Sequence, residues 1–291
     1  MTLHRFTTTL GASVLALAIA GTTTAVADPA DPADIANSAN PAPAGFTTQS
    51  PLPQAHAHND YLHPHPLWDA LGQGFTSIEA DIFYEDGQLL LGHTQEEATE
   101  GPDAGRSLED YYLKPLAEYV RNNDGQVYPD HTEPVRLLVD VKDGGADTLN
   151  RVEEILANYE DVLTHVKDGE VQPGAIQVVY SGEPPFESIA DRSTRYGFYD
   201  GRPSDIKGDD ALDPQDVPLV SASVTDVATD LGGFADDVDE FGAQSRVWGV
   251  PETDDTTKLA GWSSQLDAGL DVISTDDLEG LREFLLSSHS S

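Results

Sequence analysis

The residues of this chain with the clearest chemical potential are histidines and carboxylates in short, regularly spaced groups. The segment Ala55–Pro64, AHAHNDYLHP, holds three of the nine histidines in the 291-residue chain. Further on, IEADI places Glu79 and Asp81 two residues apart, and LLVDVK places Asp140 and Lys142 at the same spacing. Side chains two residues apart on a β-strand point to the same side of the sheet. Each pair is therefore expected to share one face of a strand.

Glu79, Asp81 and Asp140 form a candidate metal site. Their sequence neighbours are apolar, so in a barrel the neighbours would face the helices and the carboxylates would face the interior. Three converging carboxylates repel one another and are costly to desolvate, and a divalent cation offsets both costs. An all-oxygen ligand set suits Mg²⁺ or Ca²⁺. The alternative is a buried ion-pair network with Lys142, and the residues alone leave both readings open.

The histidines add the second half of a candidate reaction centre. His56 and His58 are expected to share one strand face, and His93 ends a short apolar run that would return as a hairpin beside the strand of Glu79. Two histidines on either side of a cation suit phosphodiester cleavage, because one removes a proton or attacks phosphorus and the other protonates the leaving oxygen. The cation and Lys142 would neutralise charge on the phosphoryl oxygens.

A rival interpretation starts from the same HAH motif. A His-x-His pair after the first strand also begins the two-metal sites of amidohydrolases and related phosphoesterases. That scheme needs further histidines at later strand ends. The remaining candidates, His131, His165 and His289, fall in predicted loops, helix ends or the tail.

The pattern of the chain from residue 51 onward predicts eight strands that alternate with amphipathic, helix-like segments. The candidate strands are residues 53–58, 76–83, 135–142, 175–180, 196–199, 217–223, 245–250 and 270–275. Eight strand–helix repeats in one domain favour a (β/α)8 TIM barrel, in which the chemistry lies at the carboxyl ends of the strands. An open doubly wound sheet is the alternative, but no glycine-rich phosphate turn follows the first strand.

The ends of the chain and its composition set further limits. Residues 1–27 have the order of a secretory signal peptide cleaved after Ala27, residues 28–50 resemble a disordered Pro/Ala/Asp-rich linker, and residues 51–288 would form the barrel. We therefore expect a secreted protein without stable membrane insertion. The net charge of −37 disfavours nucleic acid as a partner, and the absence of cysteine excludes thiol catalysis.

The ordered motifs HNDY, IEADI, GH, LLVDVK and STDDL resemble those of the phosphatidylinositol-specific phospholipase C and glycerophosphodiester phosphodiesterase superfamily. Within this superfamily the chain most resembles the altered-inheritance-of-mitochondria family. Further similarity to that family lies in VVYSGEPP, in FYDGRPSDI and in the stretch from Val247 to Leu285. The resemblance covers about residues 54–286. It implies a distorted TIM barrel of the phospholipase C-like phosphodiesterase type.

The resemblance also implies roles for individual residues. Glu79, Asp81 and Asp140 correspond to the ligands of one divalent cation, Mg²⁺ or Ca²⁺. His58 and His93 correspond to the two catalytic histidines and Lys142 to a lysine that follows the third ligand. Comparison with sphingomyelinase D-type enzymes would select His56 instead of His58.

The chain also departs from the family pattern in ways that affect the expected specificity. The usual His-Arg-Gly start is missing, so the arginine that would hold phosphate is absent there. Arg195, Arg202 and Arg246 lie near later strand ends and are candidates to replace it, and we assign Arg246 to substrate binding together with Asn59 and Lys142.

These observations predict a secreted, metal-dependent phosphoric diester hydrolase that acts on glycerophosphodiesters or phospholipid head groups. Its partner would be a small-molecule or lipid phosphodiester. A non-catalytic barrel that binds a ligand in the same pocket, and the two-metal scheme, are the alternatives.

Overall fold

A computed structural model describes residues 39–288 of the chain, except residues 130, 144, 183 and 210. The predicted signal peptide and the first part of the predicted linker lie outside the described residues. Within them, the strands are β1 (Leu52–Ala57), β2 (Phe75–Glu85), β3 (Gln88–Leu91), β4 (Val135–Val141), β5 (His165–Lys167), β6 (Glu170–Gln172), β7 (Ile176–Gly182), β8 (Thr194–Arg195), β9 (Gly197–Gly201), β10 (Leu219–Ser223), β11 (Gln244–Trp248) and β12 (Val272–Thr275).

The helices mostly follow the strands that they connect. They are α1 (Trp68–Gly72), α2 (Gln95–Glu100), α3 (Lys114–Asn122), α4 (Ala146–Leu156), α5 (Glu187–Ala190), α6 (Val224–Val227), α7 (Leu231–Phe241), α8 (Asp255–Asp267) and α9 (Leu278–Ser288). Short 3-10 turns span Asp60–Leu62 and Ala157–Tyr159, and a π-type turn at Glu109–Leu113 leads into α3. None of the described helices is long and apolar enough to cross a membrane.

Eight parallel strands close into a barrel. Their order is β1, β2, β4, β7, β9, β10, β11 and β12, and β12 pairs with β1 to complete the circle. Each of these strands overlaps one of the eight predicted segments, so the TIM-barrel prediction is confirmed. Strand β3 pairs antiparallel with β2, which confirms the predicted hairpin before His93.

Alternation along the barrel strands separates two environments. Ile78, Ala80 and Ile82 on β2 and their counterparts on β4 pack in the core under the helices. Removing a large aliphatic side chain of this kind from water contributes about 1.5–3 kcal/mol. The intervening side chains point into the barrel, as alternation requires.

On five of the barrel strands, two successive inward-facing positions form two stacked layers. The lower layer is apolar and contains Leu138, Val179, Phe198, Leu219 and Val272. Two residues later on each of these strands stands a polar residue, and this upper group, the polar layer, consists of Asp140, Ser181, Asp200, Ser221 and Ser274. The polar layer therefore lies nearer the carboxyl ends of these strands than the apolar layer does.

The segment just before β1 also packs on the barrel. Asn40 is buried, and its amide donates to the carbonyl oxygens of Pro66 and Tyr111. The ring of Phe46 lies 5.0 Å from that of Trp68 in an edge-on contact. The packed part of the chain therefore begins before residue 51, inside the segment predicted to be a linker.

Candidate active site

Three carboxylates meet at the carboxyl end of β2 and β4. One oxygen each from Glu79, Asp81 and Asp140 lies within 4.8 Å of the others, and this is the single group of metal-ligating side chains of that kind among the described residues. Asp81 lies directly opposite Asp140 in the parallel ladder of β2 and β4. The strand register therefore produces the convergence that the two-residue spacings predicted.

Glu79 is held from two sides. His56 Nε2 lies 2.8 Å and Arg246 Nη2 lies 2.9 Å from the same oxygen, Oε2. Burial alone would raise the pKa of Glu79, but the charge of Arg246 and the hydrogen bond from His56 outweigh it and lower the pKa well below its usual range. Glu79 is therefore an anion with a fixed orientation, and its Oε1 atom is left for another ligand.

Asp81 and Asp140 share one cation of the chain. Lys142 Nζ lies 3.0 Å from Asp81 Oδ2 and 2.7 Å from Asp140 Oδ2. Burial and the charges of Glu79 and Asp140 nevertheless raise the pKa of Asp81. The ion-pair network that is the alternative to a metal site is thus present. However, only two cationic side chains among the described residues, Lys142 and Arg246, face the three carboxylates.

The second carboxylate oxygens of Asp81 and Asp140 show whether the three carboxylates fit a metal ion. Asp81 Oδ1 and Asp140 Oδ1 are buried and have no hydrogen-bond partner among the described residues. A buried carboxylate oxygen without a partner is costly. Together with the carboxylate of Glu79, these two oxygens match the oxygen ligands that Mg²⁺ and Ca²⁺ prefer. The group also has a surplus negative charge, which a cation would offset. The residues present therefore fit a divalent cation.

Gly182 permits the close approach of β7 to this group. Its φ is +79°, and a Cβ atom there would lie 2.1 Å from Asp140 Oδ1. A side chain would therefore displace the carboxylate, so only glycine is compatible with this arrangement.

His58 stands at the mouth of the barrel, just after β1. Its Nδ1 atom lies 2.8 Å from Asp276 Oδ1, and 36% of its side chain is exposed. Burial lowers the pKa of His58, but the hydrogen bond to Asp276 and the charge of Glu79 outweigh it and raise the pKa. Because Nδ1 donates to Asp276, the free nitrogen of the neutral ring is Nε2.

His93 faces the same group from the hairpin. Its Nδ1 atom lies 3.0 Å from Asp81 Oδ2, and 58% of its side chain is exposed. Thr94 caps α2 by accepting from the backbone N–H of Glu97, and the Glu97 carboxylate accepts from the backbone N–H of His93. This arrangement resembles a capping box, which fixes the direction in which the chain enters a helix and hence the position of His93.

A buried aspartate holds the loop that carries His58. Asp60 accepts from the backbone N–H of Leu67 at 2.6 Å and from the hydroxyl of Tyr112 at 2.7 Å. Leu67 has a φ of +71° and Asn59 a φ of +47°, so both ends of the loop are in conformations that L-residues seldom adopt. Asp60 stabilises this shape, although burial raises its pKa to about 7.

The structure brings most of the predicted site residues together, and two of them, His56 and Arg246, are engaged with other side chains of this chain. Both ring nitrogens of His56 are engaged, one by Glu79 and one by Ser77 at 2.7 Å, and burial with the charge of Arg246 lowers its pKa to about 3. Its neutral ring orients Glu79 and has no nitrogen left for proton transfer. Arg246 is likewise buried against Glu79, to which its Nη2 atom donates, and its Nε atom donates to Ser274. The guanidinium of Arg246 therefore faces a carboxylate of this chain.

The remaining predicted residues lie as follows. The hydroxyl of Tyr61 donates to Asp81 Oδ2 at 2.9 Å and lies 3.2 Å from Asn59 Oδ1. His165 lies in β5, where its Nδ1 atom bonds the carbonyl oxygen of Leu163, and His131 precedes β4. Neither joins the carboxylates, and His289 lies outside the described residues. The described residues thus do not supply the extra histidines that a two-metal amidohydrolase site needs.

Several contributors to the site were not predicted. Four such residues reach the three-carboxylate group or its rim from four different strand ends: Asp276, Tyr61, Ser181 and Asp200. A signal for two of them was present, because Ser181 and Asp200 each follow an inward-facing apolar residue by two positions. Asp276 lay within the recognised STDD motif, but its pairing with His58 depends on barrel closure.

Comparisons with known proteins agree with this geometry. A family model described as an AIM6-like phosphodiesterase domain matches residues 46–200, more than half of the chain. That range includes the three carboxylates, His58, His93 and Lys142.

Curated relatives extend the similarity toward the carboxyl end. The chain is 28% identical over 203 residues to the altered inheritance of mitochondria protein 6 homolog of Arthroderma benhamiae, which covers 62% of each chain. It is 25% identical over 306 residues to altered inheritance of mitochondria protein 6 of Kluyveromyces lactis, covering 80% of this chain and 72% of the relative. The match thus spans less than two thirds of the Arthroderma protein.

Proposed function

Because this chain belongs to the AIM6-like phosphodiesterase family, within the phospholipase C-like phosphodiesterase superfamily, we propose that it is a metal-dependent hydrolase of phosphoric diesters. One observation carries the proposal. His58 and His93, each with Nδ1 fixed by a carboxylate, stand at the rim of a three-carboxylate group that has two unpartnered oxygens. His58 and His93 thus supply two orientated imidazoles beside a possible site for a divalent cation, all at the same end of the barrel.

The proton transfers follow from the orientation of the two rings. Asp276 accepts from Nδ1 of His58, so Nε2 of that ring removes the proton of the attacking hydroxyl or attacks phosphorus itself. Asp81 accepts from Nδ1 of His93, so Nε2 of the second ring carries the proton that the leaving alcohol takes up. The route can be direct, or it can pass through a cyclic phosphate where the substrate has a neighbouring hydroxyl.

The charge balance supports a monoanionic substrate. Glu79, Asp81 and Asp140 would hold the cation, which supplies Lewis-acid stabilisation of the phosphoryl charge when bound. Lys142 bridges Asp81 and Asp140 and adds a positive charge next to that space, while His56 and Arg246 keep Glu79 in position. With a divalent ion, three carboxylates and two cationic side chains sum to one positive charge, which matches one diester.

We further propose that the substrates are glycerophosphodiesters or phospholipid head groups, that the ion is Mg²⁺ or Ca²⁺, and that the protein is exported. The first two proposals are supported by the family resemblance and the oxygen-only ligand set. The third is supported by the pattern of residues 1–27.

A substrate panel tests this function. The panel contains glycerophosphodiesters, lysophospholipids, phosphatidylinositol, sphingomyelin and a bis-aryl phosphate, each with Mg²⁺ or Ca²⁺. We expect turnover of at least one alkyl diester and its loss in His58→Ala, while Arg121→Gln, a surface variant remote from the site, retains activity. Absence of turnover of every diester by folded, metal-supplied protein would contradict the proposal and favour a ligand-binding barrel.

A further inference from the structure

The missing phosphate-binding arginine has one structural candidate among the three arginines near later strand ends. Arg195 is buried, pairs with Asp216 and donates to the carbonyl of Gly197. Arg246 is buried against Glu79. Arg202 directly follows β9, and 33% of its side chain is exposed. Of the three, only Arg202 therefore presents a substantial part of its side chain to a ligand.

The guanidinium of Arg202 is anchored along one edge. Nη1 donates to the carbonyl oxygens of Asp200 at 2.9 Å and Gly201 at 3.1 Å, and it lies 3.1 Å from Asp200 Oδ2. Nη2 makes only a long contact of 3.5 Å with Ser181 Oγ, and no described residue accepts from Nε. The anchored edge fixes the plane of the group, so the other edge retains donors for an acceptor outside the chain.

Ser181 and Asp200 hold this arginine beside the carboxylate group. Ser181 Oγ donates to Asp200 Oδ2 at 2.6 Å, and Asp200 is fully buried. Ser181 lies directly opposite Asp140 in the ladder of β4 and β7, and Tyr180 lies opposite Tyr199 in the ladder of β7 and β9. Asp140, Ser181 and Asp200 thus form one row of the polar layer, across two strand spacings of about 4.8 Å each.

Asp200 also needs the arginine. Its other oxygen, Oδ1, is buried without a partner among the described residues, and Arg202 is the single cation that pairs with it there. The pair therefore has a structural function as well, which the test must separate from ligand binding.

We propose that Arg202 binds a phosphoryl oxygen of the substrate through its free edge, and that Ser181 and Asp200 are positioning residues for it. This inference rests on the proposed function, and it assigns to the end of β9 the positive charge that this chain lacks after β1. The planar guanidinium offers paired donors that match phosphate oxygens, whereas an ammonium offers a point charge. The ligand class is a phosphate or phosphodiester anion.

The first experiment measures binding of inorganic phosphate to the full chain in Mg²⁺ by calorimetry. Arg202→Gln is expected to weaken binding about tenfold or more, the loss of one charge-assisted bond, and Arg202→Lys to weaken it less. Arg121→Gln is the matched control, because Arg121 pairs with Asp161 and is 30% exposed, but lies at the end of α3 away from the mouth. Thermal unfolding checks that all variants fold.

The second experiment measures hydrolysis of the best diester of the panel. Arg202→Gln is expected to lower kcat/KM about 100-fold, the size of effect typical of removing one donor to a developing charge. Ser181→Ala is expected to raise KM with little change in kcat, and Ser181→Thr, which keeps the hydroxyl, to restore it.

The outcomes separate the two claims. Phosphate affinity of Arg202→Gln within twofold of that of the wild type would overturn the inference, as would a wild type that binds no phosphate. If the wild type hydrolyses no diester but binds phosphate through Arg202, the proposed function fails and the inference stands. If hydrolysis proceeds and is indifferent to Arg202, the inference alone fails.

Discussion

The Nδ1 atom of His58 and the Oδ1 atom of Asp276 lie 2.8 Å apart, although 218 residues separate them in the chain. The contact exists because β12 pairs with β1 and closes the barrel. It fixes the tautomer of His58 and leaves Nε2 as the free nitrogen. The closure of the fold is therefore what prepares the proposed catalytic base.

Replacement of Asp276 should change the pH dependence of the reaction. The hydrogen bond to Asp276 and its charge raise the pKa of His58, and a base acts only when it is deprotonated. Asp276→Asn should therefore move the acidic limb of the kcat/KM profile to lower pH while lowering its plateau roughly tenfold or more. Steady-state rates from pH 5 to 9 measure both. An unmoved acidic limb would show that another group titrates in the free enzyme.

The role of His93 can be tested through the leaving group. An alkoxide needs a proton as it departs, whereas a nitrophenolate departs without one, so the general acid matters only for the first. His93→Ala should lower kcat for a glycerophosphodiester by about 10²–10⁴-fold and should affect a nitrophenyl diester much less. Equal losses on the two substrates would instead assign His93 to metal or substrate binding.

His56 should matter for the cation and not for proton transfer. Its Nε2 atom orients Glu79, and loss of such a support typically costs 10–100-fold in metal affinity. His56→Ala should therefore weaken Mg²⁺ binding by about that factor, with part of the activity regained at high Mg²⁺. His58→Ala is the control, since it should bind Mg²⁺ normally and remain inactive. Activity of His56→Ala that excess metal leaves unchanged would contradict this role.

Asp60 should make stability depend on pH. Burial raises its folded-state pKa to about 7, above the ordinary value in an unfolded chain, so its contribution is full below about pH 4 and is lost as the pH rises toward 7. Between pH 5 and 7.5 the wild type should therefore lose on the order of 2 kcal/mol more unfolding free energy than Asp60→Asn. Urea unfolding in high salt, which screens the surface charges, measures the difference. Parallel losses in both proteins would refute the effect.

The sequence was sufficient for the features that depend on local spacing. Short apolar runs that alternate with amphipathic segments identified the eight barrel strands, and the two-residue spacings placed Glu79 with Asp81 and Asp140 with Lys142 on inward faces. The LLLGH segment predicted the hairpin that presents His93. Each of these features can be predicted from the residue pattern of a short stretch of the sequence.

The contacts of the other site residues depend on pairing between distant strands. Comparison with sphingomyelinase D-type enzymes selects His56 for catalysis, but its burial and its two partners, Ser77 and Glu79, arise only after β1 and β2 pair. The position of Arg246 near a strand end predicts a contact with substrate, whereas its contact with Glu79 depends on the curvature of the barrel. The contacts of both residues follow from long-range pairing of the strands, which no local pattern specifies.

Dependence of the hydrolytic activity on a bound cation is the decisive test of the proposed site. The measurement is the rate of hydrolysis of an alkyl phosphodiester by the wild type, first with chelator and then with Mg²⁺ or Ca²⁺ restored, beside Asp140→Asn. We expect activity that chelation abolishes, that one of the two ions restores, and that Asp140→Asn lacks at the same ion concentration. Full activity in chelator, or in Asp140→Asn, would contradict the proposal that Glu79, Asp81 and Asp140 hold a catalytic cation.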